Sequence, residues 1–292
     1  SGTGSFANAN SLTTCTYTPS PADITAGIVT LTLTANGNAP CGNVTSTKNI
    51  TIAPLDTALT VGANQSANTD AGLCTASILV PNVVFNNNCS TSTIAFTLTG
   101  ATSLGSTAGQ VGTYIFNKGV TTINYTVTHY NGTTTTGTKT ITVTDNSLPT
   151  LTAGGNQSVN TDSGVCTASV AVTDAVFGDN CSGSTISYTL TGATTKALTA
   201  GQVGTYTFNK GVTTINYTVT DSSTLTTTGS KTITVTDNIA PTLTSGGNQS
   251  ANTDSGVCTA SVAVTNATFG DNCSGATITY SLSGATTKAL TT

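Results

Sequence analysis

The sequence predicts an all-β chain of tandem sandwich modules arranged as an elongated rod, and three observations carry that expectation. The composition removes the usual helix formers: none of the 292 residues is Met, Glu or Arg, and about a quarter are Thr, a β-branched residue that fits a pleated surface better than a helix. The chain repeats itself every 92 residues, with Cys74, Cys166 and Cys258 in register, and likewise Leu59, Leu151 and Leu243. Within one repeat, apolar residues alternate with Thr and Ser at a period of two, the pattern of a half-buried strand.

The elements follow in chain order. Residues 1–54 lie outside the period and read as a partial module of a second type. Residues 55–145 and 146–237 are two full repeats. Residues 238–292 are a truncated third, ending before the GQVGTY segment that Gly201 to Tyr206 shows should follow, so the chain is expected to be a piece of a longer protein. Only eight positions differ between 154–200 and 246–292, as expected for a duplicated module whose copy number matters.

Inside the 146–237 repeat, five apolar alternations predict strands: Cys166 to Val172, Ile186 to Leu190, Tyr206 to Phe208, Ile215 to Val219, and Ile233 to Val235. Turn clusters such as Gly154-Gly155-Asn156, Asp162-Ser163-Gly164 and Asn209-Lys210-Gly211 separate them. Roughly seven short strands in about 90 residues is the arithmetic of an immunoglobulin-like sandwich. Tyr125 and Tyr217 stand where a tyrosine corner is expected, with plain core packing as the alternative. Lys139 and Lys231 occupy equivalent places in Thr-rich strands and are expected to point outward as guards against edge pairing. The joints Asp145 to Pro149 and Asp237 to Pro241 are short, and proline restricts itself and its predecessor to extended backbone. Such modules in line would reach roughly 100–130 Å.

Composition also excludes functions. Charged residues make up 6% of the chain, the net charge is −4, and the seven basic residues are lysines scattered singly. No basic patch exists to neutralise phosphates, so nucleic acid is a poor partner. Apolar runs are a few residues long, far short of the roughly 20 needed to span a bilayer, so no membrane insertion is expected in this segment. The 36% of apolar residues suffices for small cores, which argues against disorder.

The eight cysteines are Cys15, Cys41, Cys74, Cys89, Cys166, Cys181, Cys258 and Cys273. They lack CxxC spacing and nearby histidines, which disfavours zinc. Disulfides are the better reading and place the chain in an oxidising compartment. The expected pairs lie within modules: Cys15–Cys41, Cys74–Cys89, Cys166–Cys181 and Cys258–Cys273. A straight strand from Cys166 to Val172 would end about 20 Å away, so this pairing needs the chain to reverse near Thr173-Asp174.

The run TDSGVCTASVAV, then FGDNCSGSTISYTLTG, FNKGVTTINYTVTD and KTITVTDN resembles the hyalin-repeat (HYR) family of immunoglobulin-like modules over roughly 55–292. The N-terminal piece, with GTGSFANANSLTT and YTPSPADITAGIVTLTLTANGNAPCG, resembles another immunoglobulin-like repeat found beside such modules in giant surface adhesins of Bacteroidota. The combination is similar to SprB-type gliding-motility adhesins. The first full repeat departs from the pattern, reading NNNCS for GDNCS and THYNG for TDSST. The resemblance implies a cell-surface, extracellular chain and O-glycosylation at the Asp56-Thr57-Ala58 triplet.

Candidate chemistry is sparse. His129, the sole histidine, stands where the next repeat has Asp221 and reads as part of a hairpin tip, His129-Tyr130-Asn131-Gly132. No catalytic constellation is expected, and the chain is read as no enzyme. Asp145, Asp162 and Asp237, with Asp70 and Asp254 at equivalent turns, are weak candidates for structural calcium, against ordinary turn capping. No other cofactor is expected. A Lys–Asn isopeptide bond is disfavoured because Glu is absent, and a lectin platform because Trp is absent.

The functional expectation is a structural or adhesive repeat region of an extracellular filament or adhesin that bears tension, in gliding or surface attachment. The alternative is a ligand- or glycan-binding module using variable loops. Expected partners are other repeats of the same chain, surface polysaccharide, the substratum or motility machinery.

Overall fold

A computed structural model describes residues 2–9, 11, 13–53, 56–85, 92–129 and 132–291. The chain divides into two compact units, Ser1–Ala67 with Thr75–Thr144, and Asn68–Cys74 with Asp145–Thr292. Among the described residues one six-residue helix interrupts an otherwise β architecture.

In the N-terminal segment, β1 (Ser5–Ala7) pairs with β2 (Thr16–Thr18), and α1 (Pro21–Ala26) leads into a hairpin of β3 (Ile28–Ala35) and β4 (Val44–Thr51). The helix starts at a reciprocal cap: Asp23 N donates to Ser20 Oγ at 3.2 Å, and Ser20 N donates to Asp23 Oδ2 at 2.9 Å. Pro21 costs nothing there because the first helical N–H has no intrahelical partner. The Tyr17 hydroxyl, donating at 2.7 Å, and the Ser20 backbone hold the Asp23 carboxyl well below the usual carboxylate range.

The first full repeat contributes β5 (Leu59–Thr60), β6 (Gln65–Asn68), β7 (Thr75–Val80), β8 (Val84–Phe85), β9 (Thr93–Gly100), β10 (Leu104–Ala108), β11 (Gly112–Asn117), β12 (Gly119–Thr128) and β13 (Thr134–Thr144). The second contributes β14 (Thr150–Thr152), β15 (Gln157–Asn160), β16 (Thr167–Ala171), β17 (Val176–Gly178), β18 (Thr185–Gly192), β19 (Lys196–Ala200), β20 (Thr205–Asn209), β21 (Gly211–Thr220) and β22 (Thr226–Thr236). Each repeat builds a five-stranded sheet, β10-β9-β12-β13-β6 in one and β19-β18-β21-β22-β15 in the other. Two-stranded ladders complete each: β11-β7 and β5-β8, then β16-β20 and β14-β17. One sequence period produces one topology.

The predicted alternation is what buries the core. In the second repeat Ile215, Tyr217 and Val219 from β21, Ile233 and Val235 from β22, Tyr188 and Leu190 from β18, and Ala168, Val170 and Phe208 from the facing ladder form one buried cluster. Burying each large side chain contributes roughly 1.5–3 kcal/mol, the dominant favourable term for so weakly charged a chain.

Two expectations are corrected here. Lys139 and Lys231 do not point outward: they are 4% and 2% exposed. Each shares the inward face of its strand, Lys139 with Ile141 and Val143, Lys231 with Ile233 and Val235. They are buried with their heads on oxygen, Lys139 Nζ donating to Gln65 Oε1 at 3.1 Å and Lys231 Nζ to the Thr173 carbonyl. Tyr125 and Tyr217 are buried, yet among the described residues their hydroxyls meet no hydrogen-bond partner. A tyrosine corner is defined by that hydrogen bond, so these are core-packing tyrosines.

The third repeat is assembled less fully. It contains β23 (Thr242–Thr244) paired with β24 (Thr268–Gly270), and β25 (Tyr280–Leu282) paired with β26 (Lys288–Thr291). Positions 249–252 and 259–263 correspond to β15 and β16 but are not strands. In the second repeat those strands are held by β22 and β20, whose counterparts do not occur within the 292 residues. Val262 is accordingly 44% exposed, where Val170 is 4%.

Candidate functional site

The chemistry that the structure concentrates is at the cysteines. Within the second repeat, Cys166 and Cys181 sit at opposite ends. Cys166 closes the turn after β15, and Asn160 of that strand lies beside Thr236, at the trailing end. Cys181 follows β17, whose Gly178 lies beside Thr150, at the leading end. The chain therefore does not reverse to bring the two together, and the within-module pairing is overturned. Among the described residues the bonds are Cys74–Cys181 and Cys166–Cys273, both spanning 107 residues. Each links the trailing cysteine of one sequence repeat to the leading cysteine of the next.

Cys15, Cys41 and Cys258 are free and exposed, so Cys15–Cys41 and Cys258–Cys273 are also corrected. Cys15 precedes β2, whereas Cys41 lies in the loop between β3 and β4, beyond an eight-residue strand that spans about 27 Å. Cys89 lies outside the described residues.

Both bonds are set in one polar arrangement, contained in the second unit, to which Asn68–Cys74 belongs. The asparagine before the leading cysteine reaches into the turn before the trailing one. Asn180 Nδ2 donates to the Leu73 carbonyl at 2.8 Å and faces Thr69 Oγ1 at 3.4 Å. Asn272 Nδ2 does the same to the Val165 carbonyl at 2.9 Å and Thr161 Oγ1 at 3.3 Å. The receiving turn is held by its own aspartate: Ser169 N donates to Asp162 Oδ2 at 2.9 Å. The sequence showed the Asp-Asn-Cys run, but only as part of a resemblance. The signal that would have found its role is the constant separation of 107 residues.

The calcium candidates separate. Asp162 is a turn acceptor, as just described. Asp237 accepts from Lys210 Nζ at 3.2 Å and from Ile239 N at 3.2 Å; that backbone bond and the lysine hold its carboxyl below the usual range. Asp145 is buried, and accepts from Ser147 N at 3.1 Å and Ser223 Oγ at 3.3 Å. One group of ligand-type atoms falls within 4.8 Å among the described residues: Asp145, Asp179 and Cys181. The Cys181 sulfur is already spent in the disulfide.

His129 is 3% exposed. Its backbone closes a hairpin end, with His129 N donating to the Thr133 carbonyl and Gly132 N to the His129 carbonyl, both at 2.9 Å. Its ring Nε2 meets Thr135 Oγ1 at 2.9 Å. Asp221 serves the same turn in the next repeat by accepting from Ser223 N and Leu225 N at 2.8 and 2.7 Å. The tip residues Tyr130 and Asn131 lie outside the described residues. Thr57 is exposed, and Asp56 Oδ1 beside it accepts from Ala58 N at 3.0 Å.

These features define a nearly all-β chain of repeated sandwich modules whose sequence repeats are bonded to one another. No protein-family model matches the chain, and no curated protein does. Solved structures similar to it include one of PcdhgB3 EC1-4, at 17% identity over 77% of this chain and 61% of that one, TM-score 0.39. The protocadherin GammaB4 extracellular domain is similar at 18% identity over 79% and 41%, TM-score 0.40. The fibronectin(III)-like modules of Clostridium thermocellum CbhA are similar at 14% identity over 62% and 95%, TM-score 0.25. The chain spans less than two thirds of the length of the first two.

Proposed function

We propose that the chain is a repeat region of an extracellular adhesin or surface filament, extending from the cell as a rod and bearing tension. The observation that carries this reading is the disulfide between successive repeats, found twice with the same separation. Such bonds persist in oxidising surroundings and are rare where thiols are kept reduced, which supports an extracellular place. Near-identical copies support a role in reach, since selection for length treats every module alike. The HYR-type modules 55–145, 146–237 and 238–292, the second-type segment 1–54, and a role in gliding or attachment in Bacteroidota are part of the proposal and rest on the motif resemblance. In this reading the chain binds substratum or surface polysaccharide and performs no chemistry of its own.

Small-angle scattering tests the shape: an elongated particle is expected, and a compact one overturns the rod. Retention of chain-coated beads under flow, no greater than that of albumin-coated beads, would remove adhesion. Structural calcium at Asp145, Asp162 or Asp237 and an O-glycan on Thr57 are separate proposals, checked by calcium titration calorimetry and by the intact mass of the native protein.

A further inference from the structure

The turn 253–258 has the form of a socket whose two counterparts in this chain are each filled. In the filled turn 161–166, Asp162 N donates to the Thr167 carbonyl at 2.8 Å, Val165 N to the Asp162 carbonyl at 3.3 Å, and Ser169 N to Asp162 Oδ2 at 2.9 Å. In 253–258, Asp254 N donates to the Thr259 carbonyl at 2.8 Å, Val257 N to the Asp254 carbonyl at 3.2 Å, and Ser261 N to Asp254 Oδ2 at 2.9 Å. The turn has the same bonded shape as its counterparts, and the Cys258 thiol, unlike those of Cys74 and Cys166, is free and exposed. A site shaped before its ligand arrives loses little ordering entropy on binding.

The two filled sockets define the ligand. Each receives a cysteine preceded by asparagine, whose side-chain amide donates to the carbonyl of the residue before the socket cysteine. Because that acceptor is backbone, the socket tolerates Leu73 in place of Val165 and Ala71 in place of Ser163. We infer that residues 253–258 are a binding site for the Gly-Asp-Asn-Cys-Ser-Gly loop of a further repeat of this kind, first held by the asparagine amide and then captured as a disulfide on Cys258. The inference rests on the tandem-repeat reading above and extends it by naming which residues recognise the next module.

Capture can be written without an external oxidant. If the loop is supplied as a synthetic Gly-Asp-Asn-Cys-Ser-Gly peptide in mixed disulfide with glutathione, the Cys258 thiolate attacks the peptide sulfur. The Cys258–peptide bond forms, the peptide–glutathione bond breaks, and glutathione leaves as a thiolate that takes up a proton.

The test uses the whole 292-residue chain with its two disulfides intact. The peptide should add to Cys258 about tenfold faster than an analogue with Ala in place of Asn, the loss expected for two missing hydrogen bonds. Cys15 and Cys41, as exposed thiols without a socket, should react with both peptides at one rate. Asp254→Ala should leave the thiol reactive but erase the preference for asparagine. Equal rates for the two peptides at Cys258, or an asparagine preference at Cys15 or Cys41 as well, would overturn the socket. Either result would leave the stalk reading standing, because that reading rests on the bonds at Cys181 and Cys273.

Discussion

Lys231 shows how a single residue departs from the role its type suggests. Its phase on β22 matches Ile233 and Val235, so alternation alone placed it inward, while its charge argued for solvent; packing won because the long stem lets the ammonium reach the Thr173 carbonyl. Burial pushes both Lys139 and Lys231 below the ordinary lysine value of 10.5, opposed at Lys231 by Asp174. Between the depressed folded value and 10.5 the unfolded chain binds more protons, so stability from these groups rises with pH in that window and is lost as pH falls through it. Comparing the parent with Lys231→Met isolates this effect: the stability difference, read by denaturant melts, should shift toward the parent as pH rises toward the ordinary lysine value of 10.5. A flat difference would mean that the lysine is not desolvated. Tyr217 offers a second prediction at this scale. Its buried hydroxyl lacks a partner among the described residues, so Tyr217→Phe should be neutral or stabilising by up to about 1 kcal/mol. A loss of more than about 1 kcal/mol would reveal a hydrogen bond at that hydroxyl.

Strands were the most legible level. The five predicted runs correspond to β16, β18, β20, β21 and β22 because each presents one face to the core, and period-two patterning reports that directly. Their ends depend on backbone that patterning does not see. Gly192 closes β18 at φ 100°, and a Cβ there would collide with the Val212 carbonyl oxygen. Gly192→Ala should therefore cost about 2–3 kcal/mol through strain and clash, whereas Gly155→Ala, with open space around it, should fall within about 0.5 kcal/mol. Thermal melts of the two variants check the contrast. Short ladders such as β14-β17 were not legible, since three residues carry too little alternation to be told from a turn.

For the molecule as a whole, the disulfides redraw the covalent path. From Cys74 the path crosses to Cys181, runs back through residues 166–181, and crosses from Cys166 to Cys273. Fifteen residues then replace 199 along the chain, about 54 Å of extended backbone against roughly 700 Å. Stretching the chain from handles at positions 72 and 275 should therefore saturate at about 70–80 Å when oxidised, the two disulfide crossings of 4.8 Å each included, with the long extension appearing only after reduction. Long steps without reductant would refute the bypass. In the chain-entropy picture each 107-residue loop contributes about 4–5 kcal/mol, so reduction should also lower the melting temperature of the 145–292 region markedly. Non-reducing peptide maps should recover Cys74 with Cys181 and Cys166 with Cys273; recovery of Cys166 with Cys181 would restore the within-module pairing.

By itself the sequence determined the β class, the 92-residue period, the inward positions of the long strands and the involvement of Cys74, Cys166, Cys181 and Cys273 in disulfides, though not that Cys15, Cys41 and Cys258 are free. Those features are local or periodic, and burial writes them into residue order. The tertiary structure alone decided which cysteines meet and that Asn180 and Asn272 lock one repeat's loop into another repeat's turn. Each of these depends on which end of a sandwich a residue occupies, and that is set by strand pairing between segments distant in the chain, such as β17 with β14 and β15 with β22. Spacing along the sequence carries no record of it until the pairing is known.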